Sequence, residues 1–377
     1  MTTEAIIPFA PSKAFTLGVE MELQVIDKDS RNLKPIAQDI LAQWPPEDEK
    51  LKPEIFQSML EINTGICNNA QEAEQDLLKT ARRLLPIVSE QGARIASNGT
   101  HPFAQWIDRK YYPADRYDVL IERNQHIARR LMIYGLHVHI GMRDGEHCIA
   151  QMNEFLYYLP HLLALSASSP FWGGNDTGLA SSRITIFEAH PSGGSPCQVR
   201  NWKEFEDIVY KLLKSRSITS YKDIWWDFRP SPNFGTLEVR ICDGVPSVPR
   251  TARLVAFVHL LSLHIERQLQ AGKQRPQAPD WLVRENKWRA SRFGLSAEVI
   301  VDSEGTTKPL FQELEDLRKD FAEDIKRLGY EKYIDTLFNE DIPNPSYQKQ
   351  RDVFEKNENL ESVVDYLCDE FAQHLQS

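Results

Sequence analysis

The chain has 377 residues, 41% hydrophobic and 26% charged, which suits one large globular domain or two ordinary ones. Its formal net charge of −10 argues against nucleic acid as the main partner, because a phosphate backbone needs a basic face. No apolar run approaches the roughly 18 residues of a membrane span, and the N-terminus lacks a basic-then-apolar leader, so no membrane partner is expected.

The first predicted element is a strand from Phe15 to Val25. Phe15, Leu17, Val19, Met21, Leu23 and Val25 take one face; Thr16, Gly18, Glu20, Glu22 and Gln24 take the other. Carboxylates two residues apart on a strand sit roughly 6–7 Å from each other. At that distance they repel by about 2.5 kcal/mol at an effective dielectric near 20. Water on an exposed face relaxes that repulsion; a cation between the acids reverses it. This strand alone leaves both readings open. PEIFQSMLE follows, with Glu54 and Glu61 seven apart, on opposite faces of a flat strand and convergent only if the chain turns between them.

A helix is expected over Ala70–Gln91, with leucines at 77, 78, 84 and 85 and Gly92 just beyond. Ala93–Ser97 reads as a strand entering the turn NGTHPF. Asp115–Tyr134 reads as a helix, GLHVHIGM as a strand, Glu146–Ser166 as an apolar helix, and RITIFE (Arg183–Glu188) as another strand. A helix over Asn201–Ser215 and the strand GTLEVRICD follow. The next helix runs from Ser247, a candidate N-cap, to Gln270, and Gly272 closes it. The last hundred residues are mainly helical, broken by Pro276, Pro279, Pro343 and Pro345. No clean linker interrupts the chain. The expectation is a loose tail over 1–13 and one domain over 14–377, mainly helical from about 275. The fold expected is α+β: a mixed or antiparallel sheet with helices packed on one face.

Three later strands repeat the design of the first. His137 and His139 oppose Leu136, Val138, Ile140 and Met142. Thr236, Glu238 and Arg240 oppose Leu237, Val239 and Ile241, and Arg183 and Thr185 oppose Ile184 and Ile186. Each pair alone reads more readily as satisfied polar groups or a surface or cross-strand pair than as a site. Together they put carboxylates, imidazoles and guanidiniums on polar faces that a purely solvated sheet has no reason to enrich in metal-ligand types. Carboxylate oxygens with an imidazole suit Mg2+ or Mn2+. Several acids suggest two or three ions, as in phosphoryl transfer, with arginines as clamps on anionic oxygens. No glycine-rich phosphate loop ending in Lys and Ser or Thr is present, so a nucleotide would have to be held by metals and arginines. The cysteines (67, 148, 197, 242 and 368) form no close pair and are odd in number, which fits a reduced, cytoplasmic protein. A metal-dependent amide hydrolase and a non-catalytic metal- or nucleotide-binding homologue stay open beside a transfer enzyme.

FTLGVEMELQVID, NGTHPF, GLHVHIG, ASSRITIF, RPSPNFGTLEVR and WRASRFGL, in this order, resemble the blocks of the carboxylate-amine ligases, also called glutamate–cysteine ligase type 2. The resemblance covers roughly residues 14 to 300. It implies a glutamine synthetase-like catalytic domain with a curved, largely antiparallel sheet. The implied reaction is ATP-dependent joining of a glutamate γ-carboxylate to an amine such as that of cysteine, through an acyl phosphate. The metal ligands it implies are Glu20, Glu22, Glu54, Glu61, His137 and Glu238, with Arg183 and Arg240 as catalytic groups. Arg289 and Arg292 would reach the nucleotide. His139 and Thr100 would sit beside the ligands or against substrate. The partners implied are a small acid and a small amine, and a homodimer is expected by the same resemblance.

Overall fold

The computed structural model describes residues 7–375, apart from the side chain of residue 108. Its spine is a seven-stranded sheet. The strands are β1 (Leu17–Asp27), β2 (Leu51–Pro53), β3 (Met59–Asn63), β4 (Ala93–Ala96), β5 (Gly135–Gly141), β6 (Phe228–Ser231) and β7 (Thr236–Asp243). They run in the order β6-β7-β5-β1-β3-β2, with β4 paired to the last residues of β1 and every pairing antiparallel.

The alternation in β1 explains its central place. Leu17, Val19, Met21, Leu23 and Val25 are at most 1% exposed, whereas Glu20 and Glu22 keep partial access. Burying each such side chain contributes about 1.5–3 kcal/mol. The apolar face is covered by two long helices, Ala70–Glu90 and Val248–Gln270, which pack on each other and on the sheet. Thr251 of the second helix donates its hydroxyl to Met21 Sδ at 3.7 Å. Asn69 caps the first helix by accepting the Glu72 N–H at 2.9 Å, and Gly92 follows it at φ +64°. The C-terminal residues form further helices, and one buried apolar cluster runs from Ile7 to Leu375. Among the described residues no helix is long and apolar enough to cross a membrane.

Four expectations need correction. RITIFE is not a strand: Arg183–Phe187 is a short helix, with Arg183, Ile184, Ile186 and Phe187 buried. Five residues are too few to separate the two periods. The expected Asp115–Tyr134 helix stops at Asn124, because Gln125 adopts φ +44°, and resumes only over His126–Arg129. Ser247 stands at the cap position, but its side chain makes no cap hydrogen bond. Finally, residues 7–13 of the expected loose tail are pinned. Ile7 N–H reaches Glu206 Oε1 at 2.9 Å, Ala10 N–H reaches the Pro232 carbonyl at 2.9 Å, and Phe9 stacks edge-on against Trp202. The first six residues of that tail lie outside the described residues.

Candidate metal and phosphate site

Sheet register builds the site. Across β1 and β5, Glu20 lies opposite His137 and Gly18 opposite His139; across β1 and β3, Glu22 lies opposite Glu61; across β5 and β7, His139 lies opposite Glu238. Directly opposed side chains on one face are within reach of each other. His137 Nδ1 stands 3.1 Å from Glu20 Oε2 and 4.0 Å from Glu238 Oε1, and its Nε2 stands 3.9 Å from Glu22 Oε1. His139 Nε2 is 3.3 Å from Glu20 Oε1 and 3.9 Å from Glu238 Oε1, and its Nδ1 is hydrogen-bonded to Thr236 Oγ1 at 2.8 Å.

Glu54 and Glu61 join this group because the chain turns between β2 and β3, leaving Glu54 in the connecting loop. Three triads each offer ligand atoms within 4.8 Å of one another: Glu20, Glu61 and His137; Glu20, His139 and Glu238; Glu22, Glu54 and Glu61. All six expected ligands and His139 line or border one cavity of about 800 Å³, which Arg183, Arg229 and Arg240 also line.

The electrostatics divide the acids into two sets. Burial opposes the charge of Glu238, but Arg229 and Arg240 overcome it and hold its carboxyl well below the usual range. Burial also opposes Glu20, whose hydrogen bonds with His137 and His139 win. Glu22 and Glu54 go the other way. Burial, with the charge of Glu61 against Glu22 and of Glu22 against Glu54, pushes each up to about 7. Glu61 rises well above its ordinary value through burial and its neighbours Glu20 and Glu54. Burial, then Arg240, lowers His137 to about 4, so its ring is neutral and able to donate a lone pair. Crowded carboxylates with too little positive charge on one side, beside neutral imidazole, form a donor set that fits Mg2+ or Mn2+.

Arg183 enters from outside the sheet. Its guanidinium packs over Gly135, where any Cβ would collide with it, and the Gly135 N–H is hydrogen-bonded to Glu22. Arg240 is paired with Glu238. The other expected residues are elsewhere. Arg289 binds Glu285 at 2.8 Å and the Glu298 carbonyl at 3.2 Å. Arg292 binds the Gly178 carbonyl and lies over the Phe293 ring. Thr100 is buried and donates its hydroxyl to the Phe171 carbonyl at 2.7 Å. None of the three lines the cavity.

A family model described as glutamate–cysteine ligase family 2 matches residues 16–363. The chain belongs to this family. A protein of Bdellovibrio bacteriovorus provisionally named glutamate–cysteine ligase 2 is 62% identical over 375 residues, covering 100% of this chain and 99% of that one. Among solved structures, a glutamate–cysteine ligase from Francisella tularensis in complex with AMP superposes with a TM-score of 0.71 at 12% identity, covering 98% of this chain and 90% of that one. The ligase PafA, in its complex with the prokaryotic ubiquitin-like protein Pup, superposes with a TM-score of 0.52 at 15% identity, over 97% of this chain and 69% of that one. At such identities the two structures speak for the fold, and the family membership makes this chain a carboxylate–amine ligase.

Within this glutamate–cysteine ligase family 2 fold, sequence reasoning missed Arg229. It faces Glu238 across the β6–β7 hairpin, with Nε at 2.8 Å and Nη2 at 2.7 Å from Oε2. The signal was present: counting outward from the four-residue turn at 232–235 pairs Ser231 with Thr236 and so Arg229 with Glu238. A second cavity of about 830 Å³ shares Glu20, His139, Lys52 and Phe234 with the first.

Proposed function

We propose that the chain is an ATP-dependent ligase that joins a glutamate γ-carboxylate to the amine of cysteine or another small amine through an acyl phosphate, with Mg2+ or Mn2+. A carboxylate resists attack because an incoming amine adds negative charge to a group already anionic. Phosphorylation gives it a leaving group. The observation that carries this reading is the meeting of Glu20, Glu22, Glu54, Glu61, His137, His139 and Glu238 with Arg183 and Arg240 around one cavity.

Glu20, Glu22, Glu54, Glu61, His137 and Glu238 would hold divalent ions, and His139, anchored by Thr236, would fix Glu20. Bound ions would supply charge neutralisation for phosphate oxygens. Arg183 and Arg240 would face the oxygens on which charge develops. The two cavities meeting at Glu20 and His139 leave room for a nucleotide and for the acid and amine. The AMP bound to the Francisella ligase supports nucleotide use. Five free cysteines, four of them buried, suit a reducing cytoplasm, and a homodimer remains the expected assembly.

The test is ADP release from ATP, measured against a panel of acids and amines with Mg2+ or Mn2+. The proposal requires release that depends on one acid and one amine together. Cleavage of an amide without nucleotide would point instead to a hydrolase, and nucleotide binding without turnover to a non-catalytic homologue.

A further inference from the structure

Three sequence blocks converge on one buried carboxylate beside the metal site. Asp243 ends GTLEVRICD and is fully buried. Ser181, in ASSRITIF, donates its hydroxyl to Oδ1 at 2.8 Å. Ser169 donates its hydroxyl to Oδ2 at 2.7 Å, and the Ser168 N–H reaches the same oxygen at 2.9 Å. Gly99, in NGTHPF, lies against this group so closely that a Cβ there would meet the carboxylate at 2.7 Å and Ser169 Cβ at 2.8 Å.

The arrangement has an unusual cationic neighbour. Arg183 is 2% exposed, and its Nη1 stands 4.0 Å from Asp243 Oδ1, too far for a hydrogen bond. Three nearer donors already occupy the carboxylate. The guanidinium makes long hydrogen bonds to the carbonyls of Ile241 at 3.5 Å and Arg240 at 3.4 Å and lies over the Phe187 ring at 5.5 Å, and among the described residues its Nε has no hydrogen-bond partner. A buried guanidinium with donors left over is costly unless an anion takes them. The backbone of Arg183 is tied to the same hub, since its N–H donates to Ser169 Oγ at 3.1 Å.

Resting on the ligase reading above, we infer that Asp243 is a positioning residue: with Ser169 and Ser181 it holds Arg183 as an uncommitted clamp for anionic oxygens of the substrates. Asp243 and Glu22 are both acids close enough to interact with the Arg183 charge. The serine hydroxyls prevent Asp243 from closing a bidentate pair with the arginine. Arg183 therefore stays buried at the lining of the cavity, without a close anionic partner.

A double-mutant cycle on the full-length enzyme tests this, with kcat and KM for ATP read from ADP release and melting temperature read in parallel. Asp243→Asn is expected to lower kcat about ten- to a hundred-fold, the scale of a misplaced catalytic group, with a smaller change in KM. In an Arg183→Ala background the same substitution should cost less than about two-fold, because the group it positions is gone. An equal loss in both backgrounds makes Asp243 merely structural and overturns the inference. Should Asp243→Asn fail to fold, Ser181→Ala, which removes one hydroxyl donor, takes its place in the cycle, and an equal loss in both backgrounds again overturns the inference. If the wild type releases no ADP with any acid and amine, the proposed function fails separately. The cycle is then read on Mg2+–ADP affinity by calorimetry, where additivity again overturns the role of Asp243.

Discussion

Arg240 and Gly135 bring the chemistry down to single residues. Arg240 is half-buried, paired with Glu238 and lines the cavity. Arg240→Ala should lower kcat about 10²–10³-fold, the usual cost of one donor to developing charge, and steady-state ADP release checks it. Gly135→Ala puts a methyl where the Arg183 guanidinium lies. It should cost about 1–3 kcal/mol of stability in urea unfolding and reduce turnover through the displaced arginine. His101 offers a pH prediction away from the site. Its Nδ1 accepts the N–H groups of Phe103 at 3.3 Å and Ala104 at 3.0 Å, so its Nε2 donates to the Arg31 carbonyl at 2.9 Å. Burial lowers this imidazole to about 3, against 6.5 in the unfolded chain. Below pH 6.5 the unfolded state takes up a proton that the folded ring refuses. Its contribution is therefore complete above that pH and falls by about 1.4 kcal/mol per unit on acidification toward 3. His101→Asn should flatten that slope, as measured by urea unfolding at about pH 7 and about pH 5.

At the level of elements, the β6–β7 hairpin decides where Glu238 and its two arginines stand. Gly235 closes its turn at φ +65°, and a Cβ there would run into the Ala10 carbonyl. Gly235→Ala should cost about 1–3 kcal/mol and speed amide exchange along Phe228–Ser231, with Arg229 loosened from Glu238. The strands of the site were readable from sequence because a period of two over eight or more residues in β1 and β7 admits one interpretation. RITIFE was not, since its apolar spacing fits one helical turn as well as a strand. Arg229 escaped because its strand of four residues, with Pro230 inside, carries little alternation of its own. Thr100 and Arg292 have the residue types of a binding site, but the Thr100 hydroxyl and Arg292 Nη1 donate to carbonyls of residues distant in sequence, which only tertiary packing reveals.

For the whole molecule, the proposed function predicts that metal binding adds to global stability. Mg2+ or Mn2+ with ATP at about 100 times the dissociation constant should add about 2.7 kcal/mol to the wild-type folding free energy. Glu22→Gln and Glu238→Gln should lose most of that gain in thermal melting, and a chelator should abolish it in the wild type. The segment at residues 7–13 is tied to the same unit, since it bonds to the turn that carries Phe234 and to Glu206.

The sheet order has a consequence for synthesis. β1 leaves the ribosome early, yet its β5 partner and the β7 strand beyond come from far downstream, the latter ending at Asp243. A nascent chain halted before Glu238 therefore carries most of the acids and imidazoles of the centre, while β5 still lacks the neighbour that completes the sheet on that side. On the proposed reading, ion capture by stalled chains of increasing length should reach its full strength only after β7, which carries Glu238, has emerged.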